Sequence, residues 1–351
     1  MVVMIGGSHD DWLFDVDVDD LGAIYACGIS RSFNFPTTAG LQASFGGALE
    51  DGIALKLNPD GSRSWSTYIG GGGLDAAFAM CVLPNRAVLV AGETRSANFP
   101  ASIGVVKPAF SGSVNGFVVR IHQSGTTFGF RTLVGGSDAI LTGIKARPNG
   151  NVIVSGLVAA GDLPVTGNAI QSTMRGASDA FVCEMNSSAT QMVYSTYYGG
   201  SGEEIGLAPT FYGGARAIVD IDAAGDVLLG FSSDSMDMLA SHMFHHGAPA
   251  AGTMNLIVAR LRLDGSIPRS VAILGDNGHV SPWAMTSTSQ GSVAIALEVR
   301  GPGGGLPLTV DAWQNWAGGT SDGYVCRLSA DLEAIQFGTY GGNYTEGGDY
   351  Y

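Results

Sequence analysis

Along nearly the whole chain, apolar residues come in short runs, some alternating with polar residues and some continuous. The runs of the first segment are LFDVDV, AIYACGIS, GIALKL and RSWSTYIG. Apolar runs of four to eight residues bounded by turn signals predict β-strands. The turn signals are Asp20-Leu21-Gly22, Pro59-Asp60-Gly61, Pro148-Asn149-Gly150 and Asp264-Gly265, residue types that set or tolerate turn dihedrals. No helical period of 3.6 runs through this pattern. The four runs read as strands a, b, c and d of one unit.

The unit repeats. A glycine pair follows each strand d, at Gly6-Gly7, Gly70-Gly71, Gly135-Gly136, Gly199-Gly200 and Gly341-Gly342, and degraded at Gly275-Asp276. A second landmark keeps the same phase: Asn34-Phe35-Pro36, Asn98-Phe99-Pro100, Asp162-Leu163-Pro164 and Gly305-Leu306-Pro307, with an imperfect Met238-Leu239-Ala240. A third enters strand c, at Asp51-Gly52-Ile53, Asn115-Gly116-Phe117, Asp179-Ala180-Phe181 and Asp322-Gly323-Tyr324. The prediction is an all-β chain, one β-propeller domain over 1–351 with about five four-stranded blades. The repeats run 6–69, 70–134, 135–198, 199–274 and 275–340, with a partial repeat at 341–351. A parallel β-helix has much shorter coils, and a string of small sandwiches would have thin cores. The fourth repeat is the most divergent. Its ten or so extra residues point to a long b–c loop.

These residues resemble a known family. GAIYACGISRSFNFPTT (Gly22 to Thr38), AVLVAGETRSANFPAS (Ala87 to Ser102) and the closing YSTYYGG (Tyr194 to Gly200) are similar to the bacterial β-propeller repeat called SBBP. The resemblance covers nearly the whole chain and implies a propeller of secreted or surface-exposed proteins. It implies no single activity, because a fold does not give a function.

Composition fits this reading. Glycine fills 53 of 351 positions, as many tight turns require, and charged residues are only 14% against 45% hydrophobic. Such a chain can build a core, unlike a disordered one. The net charge of −14 repels nucleic acid and anionic membrane surfaces, so neither is an expected partner. No apolar stretch is long enough for a transmembrane helix, and the N-terminus lacks the pattern of a secretory signal. The cysteines Cys27, Cys81, Cys183 and Cys326 form no CxxC pair and are expected to be free and buried.

Three groups of residues offer chemistry. Asp10, Asp11, Asp75, Asp138, Glu203 and Glu204 recur in the d–a loops. They would form an acidic ring for a hard cation such as calcium, or each would cap amides in its own turn. Asp15, Asp17, Asp19 and Asp20 resemble part of a calcium loop, but Ala26 stands where an EF-hand needs its Glu. His242, His245 and His246 are a candidate zinc or copper site, or a surface patch in the b–c loop. No nucleophile elbow, phosphate loop or dinucleotide fingerprint is present.

Aromatic residues and chain ends are the candidate partner contacts. Trp316 is the expected surface anchor, whereas Trp313 shares the slot of Leu41 and Ile170 and is expected in the core. Met1, Val2 and Val3 look like the tail of a strand d, and Tyr350 and Tyr351 lead towards a new strand a. Three readings stand open: the ends cap the ring, the chain is part of a longer protein, or neighbouring subunits complete each other's blades. The expectation is a non-enzymatic extracellular, cell-surface or virion-surface module whose partners are proteins, including itself, or glycans. The alternative is a polysaccharide hydrolase or lyase using the loop face.

Overall fold

Each repeat supplies an antiparallel sheet whose strands pair in sequence order. In a computed structural model, described for residues 3–38, 41–204, 216–276, 278–301 and 305–342, the first sheet is β1 (Asp11–Val18), β2 (Ile24–Ser30), β3 (Asp51–Leu57) and β4 (Arg63–Ile69). The second is β5 (Asp75–Val82), β6 (Val88–Thr94), β7 (Asn115–Ile121) and β8 (Phe128–Val134). The third is β9 (Ala139–Ala146), β10 (Val152–Val158), β11 (Asp179–Met185) and β12 (Met192–Tyr198). The fourth holds five strands: β13 (Ile218–Ile221), β14 (Val227–Ser233), β15 (His242–Gly247), β16 (Asn255–Leu261) and β17 (Ser270–Gly275). The fifth is β18 (His279–Ser287), β19 (Val293–Arg300), β20 (Ser321–Leu328) and β21 (Ile335–Gly341). The protein is an all-β, five-bladed β-propeller with mostly four-stranded blades. Two compact units divide the chain: 1–164 with 183–195, and 165–182 with 196–351.

Two glycine positions explain much of the composition. The hairpin joining strands a and b needs one residue at positive φ, filled by Gly22, Gly150, Gly225 and Gly291, and in the second blade by Arg86 at φ 62°. Arg86 also pairs with Asp20 at 2.8 Å. Strand a carries a bulge beside a strand-b glycine, Gly28 opposite Leu13 and Gly92 opposite Ala77. A β-carbon at Gly28 or Gly92 would overlap the carbonyl oxygen of Trp12 or Ala76, so only glycine permits the approach.

The inner strands are tied to one another by side chains. Asp15 and Asp17 each accept a backbone N–H of β5, from Met80 and Val82, both at 2.8 Å. Asp220 of β13 accepts the Ser287 N–H of β18 at 2.7 Å. Asp15, Asp17 and Asp220 are therefore blade-to-blade ties. Asp19 serves its own hairpin, accepting the Leu21 and Ala23 amides. Apolar packing follows the same seams: Tyr25, Ala54 and Trp65 of the first blade cluster with Ala77, Met80 and Phe117 of the second. In the other unit Leu228, Val258 and Leu274 cluster with Val280, Ile295 and Tyr324.

Each outer strand d would leave an unpaired edge, and the b–c connection covers it. Thr38 donates its N–H to Ser66, and Tyr68 donates to Gln42; Leu133 donates to Lys107, Tyr197 to Gln171, and Tyr340 to Gln314. In the fourth blade this cover becomes β15, paired parallel to β17 from His242–Ser270 to Gly247–Gly275. The histidine run is thus a strand and not a loop. The b–c connection there is close in length to those of the other blades. The extra residues of this repeat fall between Glu204 and Ile218, and 205–215 lie outside the described residues.

Candidate binding surface

The repeated acidic residues are held by backbone amides. Four positions after the second glycine of the pair, Asp11 Oδ2 accepts the Gly7 N–H at 2.7 Å, Asp75 Oδ2 accepts Gly71 at 2.8 Å, and Glu204 Oε1 accepts Gly200 at 2.9 Å. Ser32, Ser96 and Ser235 add hydroxyl donors. Asp138 accepts the amide and hydroxyl of Ser113. Asp10 and Glu203 are exposed. Among the described residues no three His, Cys, Asp or Glu side chains stand together as a metal ion would need. The carboxylates sit at separate blade junctions, and Asp11, Asp75 and Glu204 each hold a local N–H with one oxygen.

The residue at the entry to strand c repeats a second cap. Asp51, Asn115, Asp179, Asn255 and Asp322 accept amides of Gly46, Ser111, Arg175, Ala250 and Gly319. Gln42 and Gln171 clamp the first and third of these while accepting the Gly70 and Gly199 amides at 3.1 Å. The two caps meet at the junctions and bring carboxyl groups together. Asp51 and Asp75 flank Gly70, and Asp179 and Glu204 flank Gly199. Burial pushes Asp51 up to about 7, with Asp75 adding to the rise. Burial also raises Asp75, Asp179 and Glu204. Asp51, Asp75, Asp179 and Glu204 are all buried.

The three histidines do not converge. Strand geometry alternates faces, placing His242 and His246 on one side of β15 and His245 on the other. His246 Nε2 lies 3.1 Å from the Leu332 carbonyl oxygen, and His242 stacks on Phe244. Cys27, Cys183 and Cys326 are buried and Cys81 is half-buried. Burial pushes the Cys183 and Cys326 thiols up to about 12, which makes them poor nucleophiles.

The surface that stands out is the b–c connection of the fifth blade. Trp313 is 88% exposed and Trp316 55%, with Val310 fully exposed beside them. Trp313 is therefore not a core residue. Leu41, its counterpart in the first blade, packs against the cluster shared by the first and second blades, whereas Trp313 is exposed and meets Phe337 in a T-shaped contact. The backbone beneath is pinned: the Trp313 and Gln314 amides both donate to Thr339 Oγ1, at 2.9 and 3.1 Å. Gln314 Nε2 donates to the Trp316 carbonyl, and Gln314 Oε1 accepts from Gly342. Two large aromatic rings are thus displayed on a fixed loop. Val3 is exposed, while Met1, Val2, Tyr350 and Tyr351 lie outside the described residues. A cleft of 490 Å³ lies in the other unit, walled by Leu41, Gln42, Asn98, Pro100, Phe128 and Arg131.

No family model matches the chain. No curated protein matches it either. Among solved structures it is similar to Kuenenia stuttgartiensis hydrazine synthase, at 12% identity and a TM-score of 0.47 over 93% of this chain and 66% of that one. It is also similar to an ulvan lyase from a family of polysaccharide lyases, at 12% identity and a TM-score of 0.46 over 92% of this chain and 68% of that one. A Bacteroides vulgatus protein of a family of unknown function matches at 12% identity and a TM-score of 0.39, over 95% of this chain and 85% of that one. The chain spans about two thirds of the length of the first two, and the likeness is one of fold alone.

Proposed function

We propose that the protein is a non-enzymatic structural or binding module, displayed outside the cell or on a cell or virion surface, which engages protein or glycan partners. The observation that carries this reading is the pair Trp313 and Trp316, held out by a loop whose amides are fixed to Thr339. Rigid exposed aromatics contribute large contact area at small entropic cost, against a sugar ring or a protein pocket. The similarity to the SBBP repeat supports the surface setting. The buried state of the close carboxyl pairs favours a structural role for them over glycoside chemistry, which needs carboxyl groups open to substrate.

The test is affinity electrophoresis against neutral and acidic polysaccharides, run beside assays for new reducing ends and for unsaturated uronate. Retention without product, reduced at least tenfold in Trp313→Ala/Trp316→Ala, supports a glycan partner. No retention and no product leaves the protein partner. Product formation from any of these polymers overturns the reading in favour of a hydrolase or lyase.

A further inference from the structure

Strand d of four blades carries a threonine whose Oγ1 accepts an amide of the b–c connection: Thr67 from Gln42, Thr132 from Lys107, Thr196 from Gln171 and Thr339 from Gln314. The residue before that threonine is small in three of these blades: Ser66, Ser195 and Gly338. In the second blade it is Arg131. Its backbone is held as those of Ser66 and Gly338 are, donating to Ser102 Oγ at 3.0 Å and accepting the Ser102 N–H at 2.7 Å. The packing of the blade therefore does not call for a guanidinium at this position.

That guanidinium has no anion. Arg31, Arg147, Arg175 and Arg260 each meet a carboxylate. Arg131 is half-buried, its side chain makes no hydrogen bond or ion pair among the described residues, and its Nε is buried without a partner. Its Cζ lies 4.6 Å from the centroid of the Phe128 ring. Burial pulls the group down with no neighbouring charge to oppose it, yet a guanidinium stays protonated. A part-buried cation without a counter-charge is costly, and an incoming anion recovers that cost. Arg131 stands in the cleft of 490 Å³ already described, and every wall residue belongs to the unit that holds the first two blades. Leu41 and Pro100 give the cleft apolar sides. Asn98 accepts the Gly72 N–H at 2.7 Å through Oδ1, and its own N–H groups have no partner among the described residues. Gln42 is engaged by Asp51 and Gly70. Asp51 and Asp75 lie behind Gly46 and Gly70, so an anion is accepted at the Arg131 end of the cleft and not at the glycine end.

We propose that this cleft binds an acidic segment of a partner protein, with Arg131 taking an Asp or Glu carboxylate, Asn98 donating to a peptide carbonyl, and Leu41 and Pro100 covering an adjacent apolar side chain. The proposal rests on the reading of the protein as a binding module and gives it a site built from residues other than Trp313 and Trp316. The guanidinium fork holds a carboxylate through two parallel hydrogen bonds. Phe128 favours a peptide over a sugar. It packs on the cluster of the first two blades and has Arg131 over its ring, so the cleft wall keeps no bare aromatic face for a pyranose to stack on.

Fluorescence anisotropy tests this with a labelled, end-capped peptide of sequence ALDFA and its ALNFA counterpart. The acidic peptide should bind wild type roughly tenfold or more tightly than the amide one, and Arg131→Ser should remove that difference. Serine stands at this position in the first and third blades, so the variant should keep the wild-type circular dichroism and melting midpoint. The comparison of the two peptides on wild type needs no variant. Equal binding of the two by wild type, no saturable binding of either, or a preference that survives in Arg131→Ser overturns the proposal. Displacement of the labelled acidic peptide by trigalacturonate at lower concentration than by unlabelled ALDFA overturns it in favour of an acidic glycan. The polysaccharide retention that tests Trp313 and Trp316 is read separately, so failure of one reading is told apart from failure of the other.

Discussion

Asp51→Asn should stabilise the protein, and more so as the pH rises. Asp51 is buried, with Oδ2 accepting the Gly46 N–H at 2.6 Å and Oδ1 without a hydrogen-bond partner, and the Asp75 carboxyl lies across Gly70 from it. Its pKa rises from 3.8 to about 7 on folding, roughly 3 pH units, and each unit is worth about 1.36 kcal/mol. The folded state therefore holds a proton that the unfolded state releases. The stabilisation is complete below pH ~4 and is lost as pH rises through ~7, by up to ~4 kcal/mol. Asparagine keeps the acceptor for Gly46 and removes the charge, and the second and fourth blades already use Asn115 and Asn255 at this position. Asp20, Asp60, Asp264 and Asp331, held low first by side-chain hydrogen bonds, lose their contribution only at more acidic pH. Urea unfolding followed by circular dichroism at steps from pH 5 to pH 8 separates the effects. Wild type should lose stability across that range, and Asp51→Asn should lose less and exceed it most at the alkaline end. A wild type that gains stability towards pH 8, or a variant weaker than wild type there, refutes the reasoning.

Three further outcomes follow from the packing. Gly92→Ala drives a β-carbon into the Ala76 carbonyl and should cost ~3 kcal/mol or more, read as a lowered melting midpoint. Asp17→Ala removes the acceptor of the Val82 amide and should cost ~1–3 kcal/mol, whereas Asp17→Asn, which retains an oxygen, should cost less; urea midpoints compare the two. Cys27, Cys183 and Cys326 are buried, so a colorimetric thiol reagent should label them only after denaturant is added; rapid labelling of more than one thiol in the native protein would show the burial to be wrong.

The strand plan was legible because turn glycines, the Phe-Pro segment and the strand-c entry all recur in phase, and each has a local cause. The Asp51-type landmark is a cap on the preceding loop, and the glycine pair supplies the amides that Asp11, Asp75 and Glu204 accept. What the sequence hides is any property that depends on the neighbouring blade. Trp313 aligns with Leu41, yet Leu41 packs against the cluster of the first two blades and Trp313 is exposed. Asp15 and Asp17 suggest a metal loop because their real partners, the amides of Met80 and Val82, lie a full repeat away. His242 to His246 form a strand because the edge of β17 is there to be paired, a condition outside the segment itself.

Incubation with neutral and acidic polysaccharides, followed for retention and for new reducing ends or unsaturated uronate, tests the central claim, that this propeller acts by binding through the aromatic pair of its fifth blade. The account predicts no product from any polymer, and loss of any retention in Trp313→Ala/Trp316→Ala. Product formation, or retention unchanged in that variant, would contradict it.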